Sequence, residues 1–157
     1  MKWITITLIF VLLVSCEKDE DKTQILMANV DGKEMHFIGN AYCYNDIRND
    51  EAFGYNYHFF NLETPNIYIE AYDSSFVRTR FDFQNLKAKY AYKDSLGNLK
   101  SYDAINGELS ILKEENGIIL GNFRFIFTNI LNSSDTIKLT DGYFEITLEK
   151  HDRIWHD

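Results

Sequence analysis

Residues 105–129 read INGELSILKEENGIILGNFRFIFTN. In its second half Phe123, Phe125 and Phe127 alternate with Asn122 and Arg124. A period of two places successive side chains on opposite faces of an extended chain, so one face is expected to be buried and the other wet. Asn106-Gly107 and Asn116-Gly117 are pairs that tolerate the positive φ of tight hairpin turns. The stretch therefore predicts antiparallel strands punctuated by turns.

The same pattern extends in both directions. Ile67, Ile69 and Ala71 share a face, Val77, Phe81 and Phe83 oppose Arg78, Arg80 and Asp82, and Phe144, Ile146 and Leu148 oppose Tyr143, Glu145 and Thr147. Asp31-Gly32 and Asp141-Gly142 add two more turn signals. The expected strands are Gln24 to Val30, Lys33 to Ile38, Ala41 to Tyr44, Ala52 to Asn61, Asn66 to Asp73, Phe76 to Phe83, Tyr90 to Lys93, Leu99 to Ile105, Glu108 to Lys113, Ile118 to Asn129, Thr136 to Thr140 and Tyr143 to Glu149. No helical period is visible. Short strands with hairpin turns indicate an all-β fold, an antiparallel β-sandwich with a lipocalin-like β-barrel as the alternative. Both faces of Ile118 to Asn129 are partly apolar, which favours the sandwich.

The amino-terminal end is of another kind. Lys2 precedes twelve uncharged residues, Trp3 to Val14, then Ser15 and Cys16. A basic start, a short apolar core and a small residue make a secretory signal. A spanning helix needs about 20 apolar residues, so this segment is too short to be one. Leu13-Val14-Ser15-Cys16 resembles the bacterial lipobox. That resemblance implies cleavage before Cys16, acylation of its sulfur and new amino terminus, and stable anchoring by more than one chain. The charged run Glu17, Lys18, Asp19, Glu20, Asp21 cannot pack and reads as a solvated tether. It also resembles the export signal of Bacteroidota lipoproteins, which implies display on the outer face of the outer membrane. The organisation expected is a signal at 1–15, a lipidated cysteine and tether at 16–23, one β domain at 24–150 and a flexible tail at 151–157.

The first strand pair near MANVDGKEMHF, the unit quoted at the outset and DTIKLTDGYFEITL at 135–148 together resemble a family of uncharacterised Bacteroidota outer-membrane lipoproteins. The resemblance is carried by strand and turn residues. It implies fold and lineage and supplies no catalytic residue. Asp94-Ser95-Leu96 and Asp135-Thr136-Ile137 also resemble the O-glycosylation sequon of exported Bacteroidota proteins, with Ser95 and Thr136 as acceptors.

The whole chain carries a formal charge of −8; without residues 1–15, which hold Lys2 and no acid, it has 15 basic and 24 acidic residues, or −9. This excludes a nucleic-acid partner, which needs a basic footprint. With Cys16 acylated, Cys43 is the only thiol left, and its position between Tyr42 and Tyr44 mid-strand predicts a small core residue.

Tyrosine carries the candidate binding chemistry. Tyr42 and Tyr44 share one strand face, as do Tyr55 and Tyr57, and a phenol suits sugars because its face stacks on C–H groups while its hydroxyl hydrogen-bonds. Asn45, Asn56 and Asn61 are the nearby amides. The competing reading makes Phe53, Tyr55, Tyr57 and Phe59 an inward stripe. Asp46, Asn49, Asp50 and Glu51 offer oxygens to Ca²⁺ without forming a complete loop motif, so a solvated loop is expected instead. His151 and His156 fall in the tail, remote in sequence from His36 and His58, and predict no metal site. No nucleophile elbow, zincin helix or phosphate-cradling loop is present, and Glu70, Asp73 and Asp82 are expected to face solvent. The expectation is a non-enzymatic, surface-displayed binding module without cofactor, for glycan or protein. The alternatives are a periplasm-facing protein that binds another protein and a small hydrolase built from scattered residues.

Overall fold

The computed structural model of the chain describes residues 22–48, 51–74 and 79–155, without the side chains of residues 48, 51, 53 and 155. The signal sequence, Cys16, the acidic run Glu17 to Asp21 and His156 lie outside the described residues. The fold is all-β, as the alternation predicts. Its strands are β1 (Gln24–Val30), β2 (Lys33–Ile38), β3 (Asn40–Arg48), β4 (Glu51–Phe60), β5 (Asn66–Asp73), β6 (Arg80–Asp82), β7 (Leu86–Lys93), β8 (Leu99–Glu115), β9 (Ile118–Asn129) and β10 (Asn132–Trp155). A 3-10 turn, Phe83–Asn85, cuts short the strand expected at Phe76 to Phe83, of which residues 76–78 lie outside the described residues.

The turn pairs divide into two kinds. Asp31-Gly32 and Asn116-Gly117 reverse the chain between β1 and β2 and between β8 and β9, with φ positive at both residues of each pair. Asn106-Gly107 and Asp141-Gly142 do not reverse it. They lie inside β8 and β10, where the register with β9 slips between Ala104 and Asn106 and between Leu139 and Gly142. The two strands expected at Leu99 to Ile105 and Glu108 to Lys113 are therefore one, as are those at Thr136 to Thr140 and Tyr143 to Glu149. The two bulges use these pairs differently: Asp141 takes φ 51°, whereas Gly107 has no positive φ and is required because the ring of Phe125 fills the place of its Cβ.

Pairing is antiparallel throughout except between β10 and β3, which run parallel from Leu148↔Ala41 to Trp155↔Arg48. The segment from residue 151 is thus a strand as far as Trp155, not a tail, because its backbone groups bond to β3. The large sheet folds over one core in sandwich-like fashion. Following the pairings from β10 through β3, β4, β5, β7, β8 and β9 leads back to β10, so hydrogen bonding joins the layers continuously. The β2–β1 pair and β6 hang from this ladder. β9 is central by virtue of its two hydrogen-bonded neighbours rather than by burial of both faces, since its outward Asn122 and Arg124 are exposed.

The core holds Phe59, Phe81, Phe123, Phe125, Phe127 and Phe144 with the aliphatics Leu26, Ile67, Ile69, Leu109, Ile119 and Leu139. Each such side chain contributes about 1.5–3 kcal/mol by leaving water. Asp73, expected in solvent, is 1% exposed, because β5 continues its inward alternation of Ile67, Ile69 and Ala71 to that position.

Candidate functional site

Paired residues on neighbouring strands project to the same side of a sheet, so the registers define a surface. Glu149, Tyr42, His58 and Glu70 form one row across β10, β3, β4 and β5; His151, Tyr44, Asn56 and Tyr72 form the next; Arg153, Asp46 and Gly54 form a third. Phe60 and Tyr68 stand beside the first. Tyr42 and Tyr44 therefore face outward and are partly exposed, while Cys43 between them is buried. Burial pushes the Cys43 thiol up to about 11, which keeps it protonated and inert at neutral pH.

The four nominated tyrosines are split by this geometry. Tyr55 and Tyr57 belong to the opposite face of β4, where Tyr57 is 8% exposed and Tyr55 packs against the core. The Tyr57 ring lies 6.4 Å from Phe59 and 6.1 Å from Phe81, centroid to centroid. Burial raises its hydroxyl pKa strongly. Tyr55 and Tyr57 are thus corrected from binding candidates to core residues, in line with the inward-stripe reading. Of the amides, Asn56 stands on the outward face, whereas Asn61 secures the β4–β5 loop through Ile67 N, Glu63 O and Pro65 O.

The outward rings form a connected platform. Tyr42 lies 5.5 Å from Phe60, 6.5 Å from Tyr44 and 5.6 Å from His151, and Tyr44 lies 5.8 Å from His151. The Arg153 guanidinium sits 5.2 Å from the centre of the Tyr44 ring. It also donates to both oxygens of Asp46, Nε to Oδ1 at 2.6 Å and Nη2 to Oδ2 at 2.9 Å. Asp46 is 3% exposed, so this bidentate pairing is what makes its burial tolerable. Its oxygens are taken up by arginine, which removes one of the proposed Ca²⁺ ligands; Asn49 and Asp50 lie outside the described residues. Among those residues no three His, Cys, Asp or Glu side chains come together as a metal site.

Beside these rings on the same face runs a chain of hydrogen bonds. The Tyr68 hydroxyl lies 2.8 Å from His58 Nδ1 and 3.2 Å from Glu70 Oε2, and Asn56 Nδ2 donates to Glu70 Oε1 at 3.2 Å. A carboxylate only accepts, so Tyr68 donates to Glu70, and His58 Nδ1–H then donates to Tyr68. His58 Nε2 is left as an acceptor. It and Asn56 Oδ1 are buried without a hydrogen-bond partner among the described residues. Burial lowers the His58 pKa, with the Arg153 charge adding to it against Glu70 and Asp46, and raises Tyr68 to about 12, with help from Glu70. At Glu70 burial alone would raise the pKa, but the Asn56 hydrogen bond, Lys87 and His58 outweigh it and the carboxyl is held low. The face can thus offer ring surfaces, backed by a fixed hydrogen-bonded set and a buried ion pair.

Much of this was hidden in the sequence. The outward set Tyr68, Glu70 and Tyr72 was readable from the alternation of β5, but His151 and Arg153 reach the face only because β10 pairs with β3. Ser95 and Thr136 are both exposed. The acids preceding them serve the fold: Asp94 Oδ1 accepts from the backbone of Leu96 and Asn98 at 2.9 Å each, and Asp135 accepts from Tyr102 at 2.9 Å and Asn129 at 3.1 Å.

No family model, no curated protein and no solved structure matches this chain.

Proposed function

We propose that this chain is a lipid-anchored, non-enzymatic binding module, held by an acylated Cys16 at the cell surface, that presents the Tyr42–Tyr44 face to a saccharide. The observation that supports this most is the joined set of partly exposed rings, Tyr42, Tyr44, Phe60 and His151, on one sheet face beside polar groups held in place by other bonds. Pyranose rings lay apolar C–H faces on such rings and satisfy their hydroxyls with the polar groups around them. The test is binding to immobilised glycans by the wild type, Tyr42→Ala and Tyr57→Phe. Binding lost in Tyr42→Ala and kept in Tyr57→Phe supports the reading; equal binding by all three, or none by the wild type, rejects it.

The surface address rests on the lipobox and the run Glu17 to Asp21. Protease treatment of intact cells tests it, comparing the wild type with Glu17, Asp19, Glu20 and Asp21 changed to Ala. Digestion of the wild type and protection of the variant fit an export signal; protection of both fits a periplasm-facing protein. For that second reading one observation speaks: β2 ends the sheet path, and Ile38 on it is 60% exposed, so a protein strand has an edge on which to add.

A further inference from the structure

We propose that the outer face of β8, β9 and β10 holds a subsite for an oxyanion carried by a ligand, a carboxylate or a sulfate ester, gripped by Arg124 and Lys138. The proposal does not rest on the Tyr42 face: the two share β10, but the hollow uses its residues 138–140 and the Tyr42 face its residues 149–153. Its ground is a pair of bulges on the two sides of β9, one beside Ile126 and one beside Arg124. β8 carries one extra residue at Ile105 and β10 one between Leu139 and Gly142, so both neighbours of β9 slip register along Phe123 to Phe127. Bulges re-aim side chains, and here a hollow of about 310 Å³ opens between Asn106, Glu108, Arg124, Ile126, Lys138 and Thr140.

The charges in this hollow are arranged rather than scattered. Glu108 Oε2 accepts from Arg80 Nη2 at 2.7 Å, and its Oε1 lies 3.0 Å from Arg124 Nε. Arg80 and Arg124 together hold the Glu108 carboxyl below its usual range, so it stays charged and keeps its grip. Bonding through Nε leaves the two terminal amino groups of Arg124 as a fork, the geometry that matches a carboxylate or sulfate. Those groups and Lys138 Nζ make no hydrogen bond or ion pair among the described residues. In a chain of net charge −8, this hollow is lined by two basic residues, Arg124 and Lys138, and one acid, Glu108, with Asp31 holding the Lys138 backbone amide at 2.8 Å. Ile126 supplies an apolar wall and Asn106 an amide, which suit the carbon skeleton and hydroxyls to which the oxyanion is attached.

The test follows the backbone amides by NMR as the chain from residue 16 onward, carrying Cys16→Ser, is titrated with tetragalacturonate, inorganic sulfate or neutral cellotetraose. The expected result is saturable shifts at residues 106–108, 124–126 and 138–140 with the anions and none there with cellotetraose. Arg124→Gln and Lys138→Gln should each weaken the anion at least tenfold and leave the melting temperature unchanged, since both side chains are exposed. Saturation by the saccharide alone identifies a uronate, and saturation by sulfate as well identifies a bare oxyanion. Shifts that never saturate with either anion, or an affinity that Arg124→Gln leaves unchanged, overturn the proposal.

Discussion

Tyr42 with Tyr44 and Tyr55 with Tyr57 are two pairs with the same spacing, on adjacent strands β3 and β4, and the sheet sends them to opposite sides. Tyr57 pairs with buried Cys43, while Tyr42 pairs with outward His58. The inner pair packs on phenylalanines, and the outer pair packs on histidine, arginine and one another. One residue type thus serves cohesion on one face and recognition on the other. What separates them is parity within a strand, not composition.

The comparison is sharpened first by cutting into the inner face. Phe59→Ala removes a ring 4.5 Å from Phe144 at a position with no exposure, and should cost about 3–5 kcal/mol in urea unfolding. A loss under about 1 kcal/mol would mean that this face is not the core. Next, Arg153→Ala strands the buried Asp46 carboxylate on the outer face. Breaking a buried pair costs about 3–5 kcal/mol, and as Arg153 is one-third exposed, about 2–3 kcal/mol is expected. Arg153→Ala with Asp46→Asn should recover part of it. Gly107→Ala should cost about 1–3 kcal/mol, because its Cβ would meet the Phe125 ring, whereas an open turn such as Asn116-Gly117 offers no such clash.

Acid then separates the faces through His58. Its folded pKa lies below its ordinary 6.5, so below that pH the unfolded chain binds the extra proton first. The stability it contributes is therefore complete above about pH 6.5 and is lost as pH falls through the folded pKa. His58→Gln should flatten thermal stability between pH 7 and 5; an unchanged slope would place the titration elsewhere. The smallest effect on stability is expected for Tyr42→Ala, within about 1 kcal/mol by thermal melting, although the proposed saccharide binding disappears. A Tyr42→Ala variant as unstable as Phe59→Ala would make the outer rings a second core rather than a binding face.

The strand content was legible because alternation is a local property. The outward Tyr42 and Tyr44 and the inward Tyr57 and Phe59 all follow from a period of two once a strand is granted. Glycine pairs were legible only halfway. Asn106-Gly107 and Asp141-Gly142 look like turn signals, but a dipeptide does not say whether the chain will reverse or bulge, since glycine also serves where a ring packs against the backbone. The long β8 and β10 were missed for this reason.

The sequence by itself determined the all-β character and the alternation of faces along most strands, because covalent geometry and side-chain polarity act over a few residues. The tertiary structure alone decided that residues 148–155 of β10 pair in parallel with β3, and so that His151 and Arg153 join Tyr42, Tyr44 and Asp46 from more than one hundred residues away. It also decided that bulges on the two sides of β9 gather Arg124 and Lys138. Such meetings depend on how every strand shares one core, and no local pattern encodes a partner so distant.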